Sequence, residues 1–256
     1  MFAGEGRLRW PVAICCGITA PVQAENSQPP RPVQRMRLTL SKGGATRYIS
    51  HLDLARSLER SLNRAGLPVA YTQGFNRRPR LSLAAALPLG YTSEAEVADV
   101  WLTEPVTPEW FHERLMARMA PGIVLTAVVE APLSGPSLQQ MMTESRYEVR
   151  FLDPVDAGEL RRRVAELMAA GAIERSRQRK GSKPQVFDLR PLILEMTVEE
   201  SADDPRLLLR LVQTATQTGR PDDVLSALGY DPLDTRVHRT WLEFAATAQS
   251  SAGGDL

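Results

Sequence analysis

The chain has 256 residues, 43% of them hydrophobic and 24% charged, with 31 lysines and arginines against 30 acids. This length suits one large domain or two small ones, and the composition is that of a soluble globular protein. Near-neutrality argues against a generic polyanion binder, but it leaves room for a basic face, because steering follows local field and not the sum.

Cys15 and Cys16 are the two cysteines, and they are adjacent. They build no internal disulfide framework, which predicts a reducing, cytoplasmic setting. They also cannot hold an iron–sulfur cluster or a cysteine-based zinc site by themselves. His51, His112 and His238 lie far apart with no HExxH spacing, so no metal site and no cofactor bound by this chain are expected.

Residues 1–35 contain "RLRWPVAICCGITAPVQA", a basic start followed by an interrupted apolar run too short to span a bilayer. They are expected to be a disordered extension or a mis-assigned start, with a weak signal peptide as the runner-up. From Met36 the pattern becomes regular. "MRLTLS" alternates as a strand. Ser50 and Asp53 then read as a capping box, Leu52, Ala55, Leu58, Leu62 and Ala65 recur at helical spacing, and Gly66 is placed to stop the helix. "PVAYT" and "RLSLAAA" read as strands around "TQGFNRRPR" at 72–80, and "EVADVWL" as another strand. Thr107 caps a helix with Pro108 at its first position, and "GIVLTAVVEA" closes the first pass. "APLSGPSLQQ" has linker composition.

The second half repeats the order. "RYEVRFL" is a strand, and "DAGELRRRVAELMAAG" a helix ending at Gly171. "AIERSR" and "QVFDLRPLILEMTV" are strands around a basic loop. "RLLLRLV", "PDDVLSALG" and "HRTWLEF" follow as strand, helix and strand. The expected fold is α+β: two tandem ferredoxin-like (βαββαβ) units at 36–133 and 144–246, and a disordered tail at 247–256.

Between Lys42 and Arg80 there are eight basic residues against two acids. Arg56, Arg60 and Arg64 form one stripe down the first helix, either a solvated face or a phosphate-tracking ridge. Within 72–80, Gly74 permits a left-handed turn, and Pro79 biases Arg78 toward an extended shape. Phe75 is either a stacking platform for a base or a plug that holds the loop to the core. Gln73, Asn76, Arg77, Arg78 and Arg80 complete a candidate substrate or nucleic-acid contact. Arg177, Arg179 and Lys180 of the second basic loop, at a matching topological place, would flank a common groove. His51 is a weak candidate for acid–base catalysis. Glu94, Glu96 and Asp99 place acids at the entry of a strand. Glu94 and Glu96 share one face under two-residue alternation and are expected to answer the loop arginines rather than to act as a catalytic carboxylate pair. Walker, GxGxxG and GxSxG signatures are missing.

The skeleton "SHLDL.R…RAGLP…QGFN..P…LPLG..SEAE..D" within residues 48–102, with "FDLRPLI" at 187–193, resembles the radical SAM-linked proteins that carry domain of unknown function 2344. The resemblance spans roughly residues 35–245. Its motif positions include Ser50, Asp53, Gly74, Pro79, Glu94, Glu96, Asp99, Asp188 and Arg190. In that family the domain is fused to, or encoded beside, a radical SAM protein. The resemblance therefore implies such a partner, with S-adenosylmethionine and the iron–sulfur cluster bound by the partner enzyme. It supplies no catalytic residue. Where the family pattern has Pro-His-Pro after Gly-Phe-Asn, this chain has Arg77, Arg78 and Pro79.

The reading that follows is a non-catalytic accessory, substrate-binding protein for a radical SAM enzyme, holding RNA or another phosphate-bearing substrate. Tandem ferredoxin-like units also resemble CRISPR repeat-processing endonucleases, so a metal-independent RNA-processing enzyme using His51 is the alternative. A protein–protein adaptor is the third reading.

Overall fold

The computed structural model describes residues 30–177, 181, 183–200 and 205–245. The expectations for the N-terminal extension up to residue 29 and for the C-terminal tail fall outside them, as do Arg179 and Lys180. The first half runs β1 (Gln34–Lys42), α1 (His51–Ala65), β2 (Leu81–Leu83), β3 (Thr92–Leu102), α2 (Pro108–Met116) and β4 (Ile123–Ala131). After a short α3 (Leu138–Met141) come β5 (Met142–Phe151), α4 (Ala157–Ala169), β6 (Glu174–Arg177) and β7 (Gln185–Asp188). Then follow β8 (Ile193–Glu200), β9 (Pro205–Val212), α5 (Pro221–Ala227) and β10 (Thr235–Phe244).

The architecture is mixed α+β. Eight strands form one sheet in the order β4-β1-β3-β10-β5-β9-β8, with β2 on β3, while β6 and β7 make a separate hairpin. The two halves meet where β3 and β10 pair in parallel, through Thr92–His238 and Ser93–Arg239. The other pairings are antiparallel.

Each half carries its own core. Met36, Leu38, Leu40, Ala98, Val100 and Leu102 face Leu54, Leu58 and Leu62 of α1 and Phe111 and Leu115 of α2. Val149, Leu207, Leu209 and Leu211 face Leu160 and Val164 of α4 and Val224 of α5. These helices lie over the same face of the sheet, because Arg239, two residues beyond core-facing Val237, bonds Glu96 on the helix side of β3. Short α3 packs Leu138 and Met141 against Val97 and Leu242 on the opposite face.

The caps follow the sequence. Ser50 and Asp53 form a reciprocal capping box, and Gly66 closes α1 in the left-handed region at φ 63°. Thr107 caps α2.

Several expectations are corrected. Leu52 is 65% exposed and Leu54 takes its place in the core. Residues 68–72 are not a continuous strand. They pair only at Val69–Leu102 and Tyr71–Pro79, and Pro68 and Pro79 have no N–H to extend a ladder. The 72–80 stretch thus lies between α1 and β2, not between two strands. "QVFDLRPLILEMTV" is broken at Pro191, where Arg190–Leu192 makes a 3-10 turn between β7 and β8. α4 ends at Ala169, before Gly171.

Glu94 and Glu96 do not share a face. The β1–β3 register slips between Leu40–Glu96 and Lys42–Ser93, so β3 carries one extra residue there, and Ser93 Oγ accepts the Ala95 N–H at 3.1 Å. Such a bulge turns Glu94 outward and leaves Ser93 and Glu96 with Lys42 on the helix side.

Candidate functional site

The 70–80 segment is a closed loop on the end of β3. Thr72 N–H donates to the Arg78 carbonyl at 2.8 Å, Arg78 N–H donates to Thr72 Oγ1 at 3.1 Å, and Ala70 and Arg80 bond backbone to backbone with Trp101. Gly74, at φ 123°, makes the tip turn that a side chain would oppose. Phe75 is wholly exposed at that tip, so it is not a plug. Gln73, Asn76, Arg77 and Arg78 are exposed around it, and Pro79 is buried at the base. Arg80 lies over the Trp101 ring at 4.5 Å, with Arg35 against the same ring at 5.0 Å.

Tyr71 Oη donates to Asn63 Oδ1 at 2.7 Å and ties the loop base to the C-terminal half of α1. On α1 the three stripe arginines border an open groove of about 270 Å³. Arg56 answers Asp53 at 3.3 Å, and Arg64 donates to the Arg118 carbonyl at 2.7 Å. The guanidinium groups of Arg60, Arg77 and Arg78 carry no hydrogen bond or ion pair among the described residues, which leaves them available to an outside anion.

In the second half the β6–β7 hairpin follows α4 and precedes β8, as 70–80 follows α1 and precedes β2. Arg177 is engaged internally. It donates to Asp223 and to the Thr218 carbonyl and covers the Phe187 ring at 4.3 Å. β10, β5 and β9 separate β3 from β8, about 20 Å at the usual strand spacing. Asp188 accepts the N–H groups of Ile173 and Arg190, bonds that hold its carboxyl below the usual carboxylate range. Arg190 donates to the Met168 and Ile193 carbonyls. The second motif is therefore a turn that seats Leu189 in the core.

The remaining motif acids do not meet the loop arginines. Asp99 is fully buried and accepts from Arg35 Nε and Arg37 Nε, both at 2.9 Å. Glu96 accepts from Arg239 Nη1 at 2.9 Å, and Arg239 Nη2 donates to the Ala86 carbonyl at 2.8 Å. Lys42 and Arg239 are as deeply buried as Glu96, and Lys42 Nζ donates to the Ile49 carbonyl at 3.1 Å.

His51 joins this cluster with its Nδ1 buried and unpartnered, as is Arg239 Nε. Burial pulls the His51 imidazole below its ordinary pKa. Glu96 opposes this, while Arg239 and Lys42 reinforce it, and the balance favours the neutral ring. Burial likewise lowers the Lys42 ammonium. Sequence reasoning missed Lys42 and Arg239. The available signal was a cation on the apolar phase of its strand: Lys42 after Met36, Leu38 and Leu40, and Arg239 after Val237.

Residues 35–221 match the family of domain of unknown function 2344, described as "uncharacterized protein conserved in bacteria". The chain belongs to this family. The family's match holds α1, the 70–80 loop and Glu96, and stops before β10 with Arg239. No curated protein matches the chain. Among solved structures, it is similar to the archaeal box H/ACA sRNP Nop10–Cbf5 complex at 12% identity and TM-score 0.38, covering 81% of this chain and 47% of that one. A Cbf5–Nop10–Gar1 complex is similar at 12% identity and TM-score 0.42, covering 83% and 52%. The chain spans about half the length of those it matches. Among the described residues, no helix is long and apolar enough to cross a membrane, and no group of three or more His, Cys, Asp or Glu is placed to hold a metal ion.

Proposed function

We propose that this chain is a non-catalytic accessory protein that holds RNA, or another phosphate-bearing substrate, for a separate radical SAM enzyme. The contact surface is α1 and the 70–80 loop. The observation that carries the reading is Phe75, fully exposed on a closed loop between Gln73 and Arg77 and Arg78, whose guanidinium groups have no partner among the described residues. An exposed ring beside free guanidinium groups suits an unstacked base and its backbone. The radical SAM partner rests on the SHLDL-to-SEAE motif resemblance. Thiolates for a cluster would come from that partner, since this chain offers only adjacent Cys15 and Cys16.

Each half is read as a ferredoxin-like unit. In support, both run β-α-β-β-α-β, with the β6–β7 hairpin inserted in the second. In both, the fourth strand flanks the first, the first pairs with the third, and the third with the second.

The test is binding of a single-stranded RNA oligonucleotide across a salt series. Affinity is expected to fall by orders of magnitude between about 50 and 200 mM salt if several phosphates are contacted. Phe75→Ala should lose about 1–3 kcal/mol by removal of stacking, and Arg60→Ala and Arg78→Ala should each weaken binding and flatten the salt slope. RNA that fails to bind at low salt would sink this reading. It would favour the adaptor, which has support of its own: Tyr48, Leu52 and Leu89 are each more than 60% exposed. They are grouped at the α1 entry, where Gly90 N–H bonds the Arg47 carbonyl. A pull-down from the native host that recovers a radical SAM protein without RNA would then identify the adaptor.

A further inference from the structure

On the face of the sheet away from α1, the seam between the halves opens into a cavity of about 500 Å³, within the size range of small-ligand sites. Arg47, Thr92 and Glu94 line it from the first half, and Glu148, Arg150, Arg236 and His238 are among those that line it from the second. We propose that this cavity binds the phosphate group of a ligand, at a site separate from the α1 surface.

The charge of the lining points to an anion. Arg150 is already answered by Glu148 at 2.6 Å. Arg236 bonds only the carbonyl of the preceding Thr235, at 3.2 Å, and the Arg47 guanidinium has no partner among the described residues. Two carboxylates also face the cavity, but Glu148 is taken by Arg150 and Glu94 lies toward His238. Arg47 and Arg236 are thus left without an ion pair among the described residues and give the lining an excess of positive charge for oxyanion oxygens to answer.

Thr92 Oγ1 and His238 Nδ1 share a hydrogen bond of 2.8 Å, and His238 Nε2 lies 3.9 Å from Glu94. These contacts direct both ring nitrogens and the hydroxyl at protein partners, which leaves the arginines as the donors the cavity offers to an anion. Guanidinium donors on two walls, Arg47 from the first half and Arg236 from the second, can each bond different oxygens of a tetrahedral phosphate, whereas a carboxylate is satisfied by one fork.

The site is also held in shape from behind. Bulged β3 turns Glu94 into the cavity while Glu96, on the reverse face, is locked to Arg239. Arg47 is tied by its backbone to Gly90. A cavity whose walls come from both halves, joined by such contacts, exists before its ligand arrives and so costs little ordering on binding.

The phosphate could belong to a free small molecule or to an RNA backbone that continues onto this face. The experiment is calorimetric titration of inorganic phosphate into the full chain in chloride buffer, repeated with RNA oligonucleotide present. Saturable one-site binding is expected, and Arg47→Gln and Arg236→Gln should each weaken it at least about tenfold, the loss of one charge-assisted contact. Arg60→Ala, on the other face, should leave it unchanged even if it abolishes RNA binding. Phosphate displaced by RNA would assign the site to the backbone, and phosphate retained beside bound RNA to a free ligand. Heat that fails to saturate by about 10 mM phosphate, or variants that bind as the parent does, would overturn the site.

Discussion

Lys42, Glu96 and Arg239 are three charges at or below 1% exposure, and they carry one negative charge between them. Desolvation lowers the Lys42 pKa, which is the cost of burying its charge, and Glu96 is the carboxylate that opposes this shift at both Lys42 and His51 and pairs with Arg239. Glu96→Gln keeps the shape and removes that charge. Breaking a buried pair in this way is expected to cost about 3–5 kcal/mol, read as a shift of the urea midpoint at unchanged slope. A loss below about 1 kcal/mol would show that the cations do not depend on Glu96. The sequence made Glu96 visible as a motif acid but not its partner, which stands 143 residues away. Alternation assigned it instead to the nearby arginines, because a bulge of one residue leaves no mark in a two-residue period.

At the scale of elements, local chemistry was legible wherever the partner lay within a turn of the chain. The Ser50–Asp53 box, the Thr107 cap with Pro108 and the Gly66 stop all involve groups three or four residues apart. Strands whose pairing depends on distant chain were read less well. β2 shrinks to Leu81–Leu83, and the 185–198 run divides at Pro191. The candidate site shows the same split: the α1 stripe and the exposed loop were readable, and Arg177 was not, since Asp223 claims it from α5. The cap also gives a test of how firmly α1 holds the site. Ser50→Ala removes the acceptor of the Asp53 N–H and is expected to cost about 1 kcal/mol. Hydrogen exchange should place that loss in the first turn of α1, beside His51. Equal loss across the whole helix would mean that α1 opens as a unit.

For the whole molecule, the repeated element order was legible, whereas the fusion of both passes into one sheet was not. Parallel pairing of β3 with β10 joins segments about 145 residues apart in sequence, beyond any local period. The join is more than an edge contact. Leu87 and Tyr91 belong to the first half by sequence, yet they are buried in the core of the second, where Tyr91 also hydrogen-bonds Asp222 of α5. The halves should therefore unfold together. Leu87→Ala empties a site 2% exposed in that shared core and is expected to cost about 2–5 kcal/mol. Native-state hydrogen exchange would follow the slowest amides of β1 and of β9 in the parent and the variant. Equal loss of protection in both strands is the expected result, because global opening then releases both cores at once. If β9 weakens while β1 keeps its parental protection, the halves are separate folding units, and the seam cavity is formed only by their docking.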